Sequence, residues 1–325
     1  MKAVVRTKYG SPDVLSVEEV AIPTPKGNEV LIRVYATTVN RTDCAILWGK
    51  PLVMRLFTGL FSPSLPATGT DFAGRIEAVG RNVRALRVGD KVWGFDDTGL
   101  ASHAQFMTFP EDKALAIIPD SVTYEQAAAS LEGAHYAYNF INKVKLTPGQ
   151  KVLVNGATGA IGSSLVQMLN YAGVEVTAVC STKNIELIKS LGAHRVIDYA
   201  THDFTKDAQQ YHFVFDAVGK SSFGKCKPLL LPGGTYISSE LGPNWENMYL
   251  PLITAVTGNK KVIFPTPFNI KRSIRFIKHL LEQGRFKAVI DRTYPLEKIA
   301  EAYQYVVKGQ KTGNVVITLE DHPAP

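Results

Sequence analysis

Apolar positions in the first third of the chain alternate with polar ones in short runs. Residues 30–35, 74–79 and 91–93 read as strands, with turns at 27–28, 80–82 and 89–90 where Gly, Asn and Asp gather. The pattern changes near residue 120. Residues 122–142 carry helical spacing, with Asp120 or Ser121 as the expected N-terminal cap. Strands and helices then alternate: strands at 151–155, 174–180, 195–198, 213–216 and 234–238, helices at 160–172 and 185–191. Such alternation implies right-handed crossovers and a parallel sheet covered on both faces. The tail leaves that rhythm, with helices expected at 270–283 and 294–308 and a closing strand at 314–318. The expected fold class is α/β: a β-rich domain joined to a doubly wound parallel-sheet domain.

The sharpest local signal lies where the strand at 151–155 meets the helix at 160–172. Gly156, Ala157, Thr158, Gly159, Ala160, Ile161 and Gly162 place three glycines three apart between strand and helix. The first glycine permits the tight turn, the second lets backbone approach a pyrophosphate, and the third lets helix and strand pack closely. Free N–H groups at the helix start favour the phosphate charge. NAD-binding versions carry an acid about 20 residues further on, at the end of the second strand. Here that strand ends in Ser181, Thr182 and Lys183. Hydroxyl and lysine suit a 2′-phosphate, so NADPH is expected in preference to NADH.

Composition adds little to this and removes several alternatives. With 45% hydrophobic and 20% charged residues the chain is ordinary globular protein. No signal peptide and no membrane span are expected, because no apolar run is long enough. The three cysteines, Cys44, Cys180 and Cys226, form no cluster, which points to a reducing, cytoplasmic setting. The net charge of +7 is scattered without a basic stripe, so no nucleic-acid partner is expected.

Several motifs in order resemble the medium-chain dehydrogenase/reductase superfamily. They are Gly69, Asp71, Gly74 and Gly80, then Val88, Gly89, Asp90 and Val92, then the glycine fingerprint and the stretch 191–199. The tail segments 289–296 and 311–317 complete them. The resemblance implies a GroES-like catalytic domain over 1–120 and 265–325, a Rossmann domain over 121–264, an active site in the cleft between them, and a homodimer. It also places Tyr199 beside the adenosine phosphate with Ser181 and Lys183. Zinc members of the family hold their metal with Cys, His and Cys. The matching positions here are Asn40, Thr70 and a residue near Glu132, and Asn and Thr are poor ligands for zinc. The resemblance is therefore to the zinc-free quinone oxidoreductase branch, with no metal expected. It implies NADPH-dependent hydride transfer to a small apolar acceptor, a quinone or an α,β-unsaturated carbonyl. Metal-free alcohol or carbonyl chemistry and an NADPH-binding regulatory protein are the alternatives.

Candidate catalytic groups follow. Asn40 can donate an amide N–H, Thr42 matches the hydroxyl that relays protons in zinc enzymes, and Tyr136 offers a phenol where the family has a threonine. Asp43 is expected to cap the next helix or to pair with a cation such as Arg41. Glu132 and His135 are candidates for acid–base work, set against an exposed helix-end glutamate and a packed histidine. Phe57 and Phe61, in a strongly apolar stretch, are candidates for the wall of a substrate pocket.

Overall fold

The computed structural model describes residues 1–319 except 51, 53–54, 65 and 267–268. The chain divides into two compact units, Met1–Glu132 with Asn269–Pro325, and Gly133–Phe268.

The first unit opens with a two-stranded sheet, β1 (Lys2–Val5) and β2 (Ser16–Glu19). The long strand β3 (Glu29–Val39) then runs into α1 (Arg41–Trp48) and the short α2 (Arg55–Thr58). Strands β4 (Asp71–Val79), β5 (Lys91–Phe95), β6 (Phe106–Pro110) and β7 (Leu115–Ile117) follow, then α3 (Tyr124–Ala129). The alternation at 30–35 buries Val30, Ile32 and Val34, which pack with Phe72, Ile76, Val92 and Phe109 in one core.

The expected helix over 122–142 is broken in two. Thr123 is the cap, accepting from Gln126 N at 3.2 Å; α3 stops at Ala129, and α4 (Glu132–Ile141) starts after a turn at Ser130.

The second unit continues from α4 with β8 (Lys151–Asn155), α5 (Ala160–Tyr171), β9 (Glu175–Cys180), α6 (Ile185–Ser190), β10 (Arg195–Asp198), β11 (Tyr211–Asp216), α7 (Phe223–Cys226), β12 (Leu230–Ser238), α8 (Glu246–Thr257) and β13 (Lys261–Ile263). Its six strands lie in the order β10-β9-β8-β11-β12-β13, all pairs parallel. The strand order reverses direction at β8, so the carboxyl ends of β8 and β11 flank a switch point of the kind where such sheets bind ligands. Helix α8 was not expected from the sequence; it carries Pro251 and leaves Leu252 and Val256 exposed, so it lacks an inward apolar stripe.

The chain returns to the first unit through α9 (Ile270–Glu282), β14 (Ile290–Pro295), α10 (Ile299–Val307) and β15 (Asn314–Thr318). The seven-stranded sheet runs β14-β15-β3-β4-β5-β7, with β6 also paired to β3. Residues 294–295 belong to a strand rather than to the expected helix, because β14 pairs in parallel with β15 through Tyr294↔Ile317 and Pro295↔Thr318. Among the described residues no helix is long and apolar enough to cross a membrane.

Candidate functional site: a glycine-rich cradle and a buried acid cluster

In the second unit β8 feeds the loop Gly156–Gly159, and α5 begins at Ala160 with Gly159 as its N-cap. Gly156 has φ +77°, a conformation that favours glycine. A Cβ on Gly162 would stand 2.1 Å from Gly156 O, so helix and loop touch backbone to backbone there. Gly159 differs: an added Cβ would meet nothing nearer than Gly156 O at 3.8 Å. Its outer face is open, as a cradle for a phosphate requires. Gly133, near the start of α4, also packs tightly, since a Cβ would fall 2.6 Å from that of Ala160.

Ser181 follows β9 and Tyr199 follows β10; Tyr199 N donates to Cys180 O at 3.0 Å, so the two strand ends lie side by side. Lys183 and Tyr199 are exposed, and Ser181 is half-buried with Oγ accepting from Asn184 Nδ2 at 3.1 Å. The fold thus gathers the three proposed phosphate-side residues at one edge. It also brings in a carboxylate that inspection of β9 alone passed over. Asp198 ends β10 level with Cys180 and accepts from Thr182 Oγ1 at 2.6 Å. That bond and the Ala200 N–H hold its carboxyl below the usual range. Asp216, at the end of β11, was missed too. It is fully buried and accepts from Asn155, Val218, Gly219, Ser221 and Tyr236, which fixes the loop beside the glycines. Its only sequence signal is its place after an apolar strand.

In the first unit the end of β3, the start of α1, the start of β4 and Glu132 meet in a buried polar cluster. Asp71 takes Thr38 N at 2.8 Å together with the hydroxyls of Thr37 and Thr38. Glu132 accepts from Thr42 Oγ1 at 2.7 Å and from Thr70 Oγ1 at 2.9 Å. Asp43 Oδ2 accepts from Asn40 N at 2.8 Å, which caps α1 as expected. Burial pushes the Glu132 carboxyl up to about 7, helped by the charge of Asp71 and opposed by the two hydroxyls and Lys311. Desolvation likewise raises Asp71 to about 6 and carries Asp43 well above the carboxylate range. Lys311 is half-buried with Nζ donating to Gly313 O at 2.6 Å, and desolvation lowers its ammonium to about 8. Glu132, Asp71 and Lys311 therefore sit where protonation states are poised near neutrality, with the Asp43 carboxyl raised beside them.

This arrangement corrects several expectations. Glu132 is not an exposed helix end; it is 5% exposed and held by two hydroxyls. His135 is packed in the second unit, with Nε2 near Asn139 Nδ2 at 3.0 Å, and burial lowers it to about 4. A neutral ring that is 1% exposed offers no acid at pH 7. Asn40 is buried and its amide donates to Thr38 Oγ1 at 2.6 Å, so that N–H is engaged inside the fold. Tyr136 is half-buried in α4, edge-on to His135 at 5.4 Å. Phe61 is 90% exposed rather than packed in an apolar wall. The Phe57 side chain lies outside the described residues.

Residues 26–120 match the alcohol dehydrogenase GroES-like domain, and residues 191–317 match the zinc-binding dehydrogenase family. A chloroplast envelope quinone oxidoreductase homolog of Arabidopsis thaliana is 31% identical, covering 92% of both chains. The chain belongs to the medium-chain dehydrogenase/reductase superfamily, in its quinone oxidoreductase-like branch. A second Arabidopsis thaliana member, an NADPH-dependent alkenal/one oxidoreductase of the chloroplast, is 30% identical over 98% of this chain and 79% of its own length. The quinone oxidoreductase from Coxiella burnetii superposes with a TM-score of 0.87 at 23% identity, over 98% of this chain and 99% of that one, and shares the fold.

Some members of this superfamily hold zinc, and the residues at the corresponding positions here do not suit it. Asn40 and Thr70 are weak donors, and both oxygens of Glu132 are already taken by hydroxyls. Among the described residues no group of three His, Cys, Asp or Glu side chains could hold a metal ion.

Proposed function

We propose that this medium-chain dehydrogenase/reductase is an NADPH-dependent oxidoreductase that transfers hydride to a quinone or an α,β-unsaturated carbonyl without a catalytic metal. The observation that carries the reading is the Thr42–Glu132–Thr70 cluster. Where zinc relatives polarise oxygen with a metal, this chain has a carboxyl held near neutrality by burial, with a half-buried hydroxyl bonded to it. Such a pair can move a proton but cannot act as a Lewis acid, which suits acceptors already electrophilic at carbon. The names of the quinone oxidoreductase homolog and the alkenal/one reductase support the same acceptor class and the same cofactor.

When bound, the reduced nicotinamide supplies the hydride. Gly156, Gly159 and Gly162 with the start of α5 hold the pyrophosphate, and Ser181, Lys183 and Tyr199 hold the 2′-phosphate. Thr42 hands its hydroxyl proton to the acceptor oxygen, and Glu132 replaces it. Asn40 acts through Thr38 as a positioning residue. A homodimer and a cytoplasmic, reducing setting belong to this reading; the latter fits three cysteines that are all buried and free.

The test is nicotinamide absorbance with NADPH or NADH, a metal chelator, and a quinone, an enone or an aldehyde as acceptor. Chelator-resistant NADPH oxidation by quinone or enone is expected. Turnover of aldehyde alone, abolished by chelator, would overturn the proposal. Binding of NADPH without turnover of any acceptor would favour a regulatory protein.

Lys183→Ala should raise the KM for NADPH on the order of tenfold, the worth of one charge-assisted hydrogen bond. The KM for NADH should stay unchanged, because Lys183 has nothing to hold on a bare ribose. Equal effects on both cofactors would place the 2′-phosphate elsewhere.

A further inference from the structure

Beneath the acid cluster the first unit encloses a cavity of about 40 Å³. Its mouth is lined by Ser64 and Thr98, both exposed, and its floor by Arg6, Asp43 and Tyr303, all buried. Each floor residue has a side-chain atom without a hydrogen-bond partner among the described residues: Arg6 Nε, Asp43 Oδ1 and Tyr303 Oη. These are two donors and, on an ionised Asp43, one acceptor, all in residues at most 3% exposed. Buried orphans of this kind are costly unless something bridges them. The cavity has room for two or three waters at roughly 15 Å³ each, and a polar site with several partners is the kind that water occupies. The Arg6 guanidinium donates to Ile46 O at 2.6 Å and lies over the Tyr9 ring.

Asp43 joins the cavity to the cluster above. The Thr70 hydroxyl donates to Glu132 Oε2 at 2.9 Å and also borders the Asp43 carboxyl. Thr42 meets the other oxygen of Glu132 at 2.7 Å. A cavity water on the unpartnered Asp43 Oδ1 would bridge it to the neighbouring Thr70 hydroxyl, and with that water the order cavity, Asp43, Thr70, Glu132, Thr42 is a series of groups that can each give and take a proton.

We infer that this cavity is the proton inlet of the enzyme, through which solvent reprotonates Glu132 by way of Asp43 and Thr70. The inference rests on the proposed hydride transfer. In each turnover the acceptor gains a hydride from the reduced dinucleotide, which leaves oxidised, and one proton from Thr42. The Thr42 oxygen regains its proton as the Glu132 O–H bond breaks. Thr70 passes its own proton to Glu132 and takes one from Asp43 through a cavity water, and a proton from bulk solvent, handed along the cavity waters, restores Asp43. Charge balances, because one proton enters for each hydride delivered.

Such a route limits repeated turnover but not the first, for which Glu132 already carries its proton. Stopped-flow NADPH oxidation with an active acceptor at pH 6 separates the two. In Asp43→Asn we expect one equivalent of NADPH per subunit oxidised at the wild-type rate, then a steady rate at least tenfold slower, with no such burst in the wild type. Because Asp43 also caps α1, a second variant leaves every polar group in place: Ala67→Leu, which projects into the cavity from its wall. It should show the same burst and slow phase. Wild-type steady rates in both variants, or a first turnover slowed as much as the rest, would overturn the inlet. A failure of the parent reading looks different: the wild type then oxidises NADPH with no quinone or enone, or Glu132→Gln turns over normally.

Discussion

Glu132→Gln should lower kcat about a hundredfold with KM for NADPH unchanged, the lower end of what a positioned acid contributes. Glutamine keeps the size and an acceptor for one of the two hydroxyls, while its NH2 donates to the other, but it has no acidic proton to give. The pH profile makes the assignment specific. In the proposed relay the acid form of Glu132 is the active one, so wild-type kcat should hold below about pH 7 and fall as pH rises through it. The variant should show a low rate without that limb. The groups facing Glu132 are Asp43, Asp71 and Lys311, with the Cys44 thiol nearby. Lys311, lowered to about 8, would add its own limb above pH 7, and that one should survive in the variant. A Glu132→Gln enzyme with wild-type kcat and an unchanged profile would remove Glu132 from the chemistry.

Stability carries the same sign and gives a second readout. The folded value of about 7 lies above the usual 4.5, so the folded state binds more protons between those values. The stability of the protonated form is fully present below about pH 4.5 and is lost as pH rises through 7. Ionising Glu132 costs up to roughly 3 kcal/mol. At pH 8 the glutamine variant should therefore match or exceed wild type in urea denaturation. The gain is reduced by what Lys311 loses with its counter-charge. Its active-site defect and its stability would then move in opposite directions, which a merely misfolded variant cannot do.

The doubly wound unit was legible because each of its signals is local. The strands at 151–155 and 195–198 have the same bounds in the structure as in the apolar pattern, and the glycines stand between strand and helix as their spacing requires. The acid cluster was only half legible. Thr42 and Glu132 could be singled out, but the pairing that gives them meaning spans 90 residues, and that of Thr70 with Glu132 spans 62. No periodicity reports a contact between the start of α1 and the start of α4. The broken helix has the same cause. Helical spacing continues through 130–131, but α3 stops at Ala129 with Ser130 as its C-cap, and a new helix starts at Glu132, where Gly133 packs against Ala160. At 294–295 a parallel pairing with β15 overrode a pattern that reads equally well as helix. Asp198 was overlooked because it reaches the end of β9 only through the register of β10.

The glycines of the cradle should fail in two different ways when given a single methyl group. In Gly162→Ala the new Cβ would lie 2.1 Å from Gly156 O and 2.7 Å from Ala157 Cα. Both are backbone atoms, so the start of α5 must move away from the loop. Overpacking of this kind costs about 3 kcal/mol or more, and the displaced helix no longer presents its N–H groups in place. The variant should lose stability in urea denaturation and bind NADPH weakly. Gly159→Ala should behave otherwise. Its φ of −69° suits alanine, and the methyl group would have open space within the chain. Its stability should stay within about 1 kcal/mol of wild type, the scale of an N-cap exchange. The methyl would stand where the pyrophosphate has to approach, so the Kd for NADPH, read by nicotinamide fluorescence, should rise at least tenfold. Loss of stability at 162 with loss of affinity alone at 159 separates the glycine that builds the turn from the glycine that meets the cofactor. Wild-type affinity in Gly159→Ala would mean that no phosphate lies over that loop, and the cofactor assignment would fall with it.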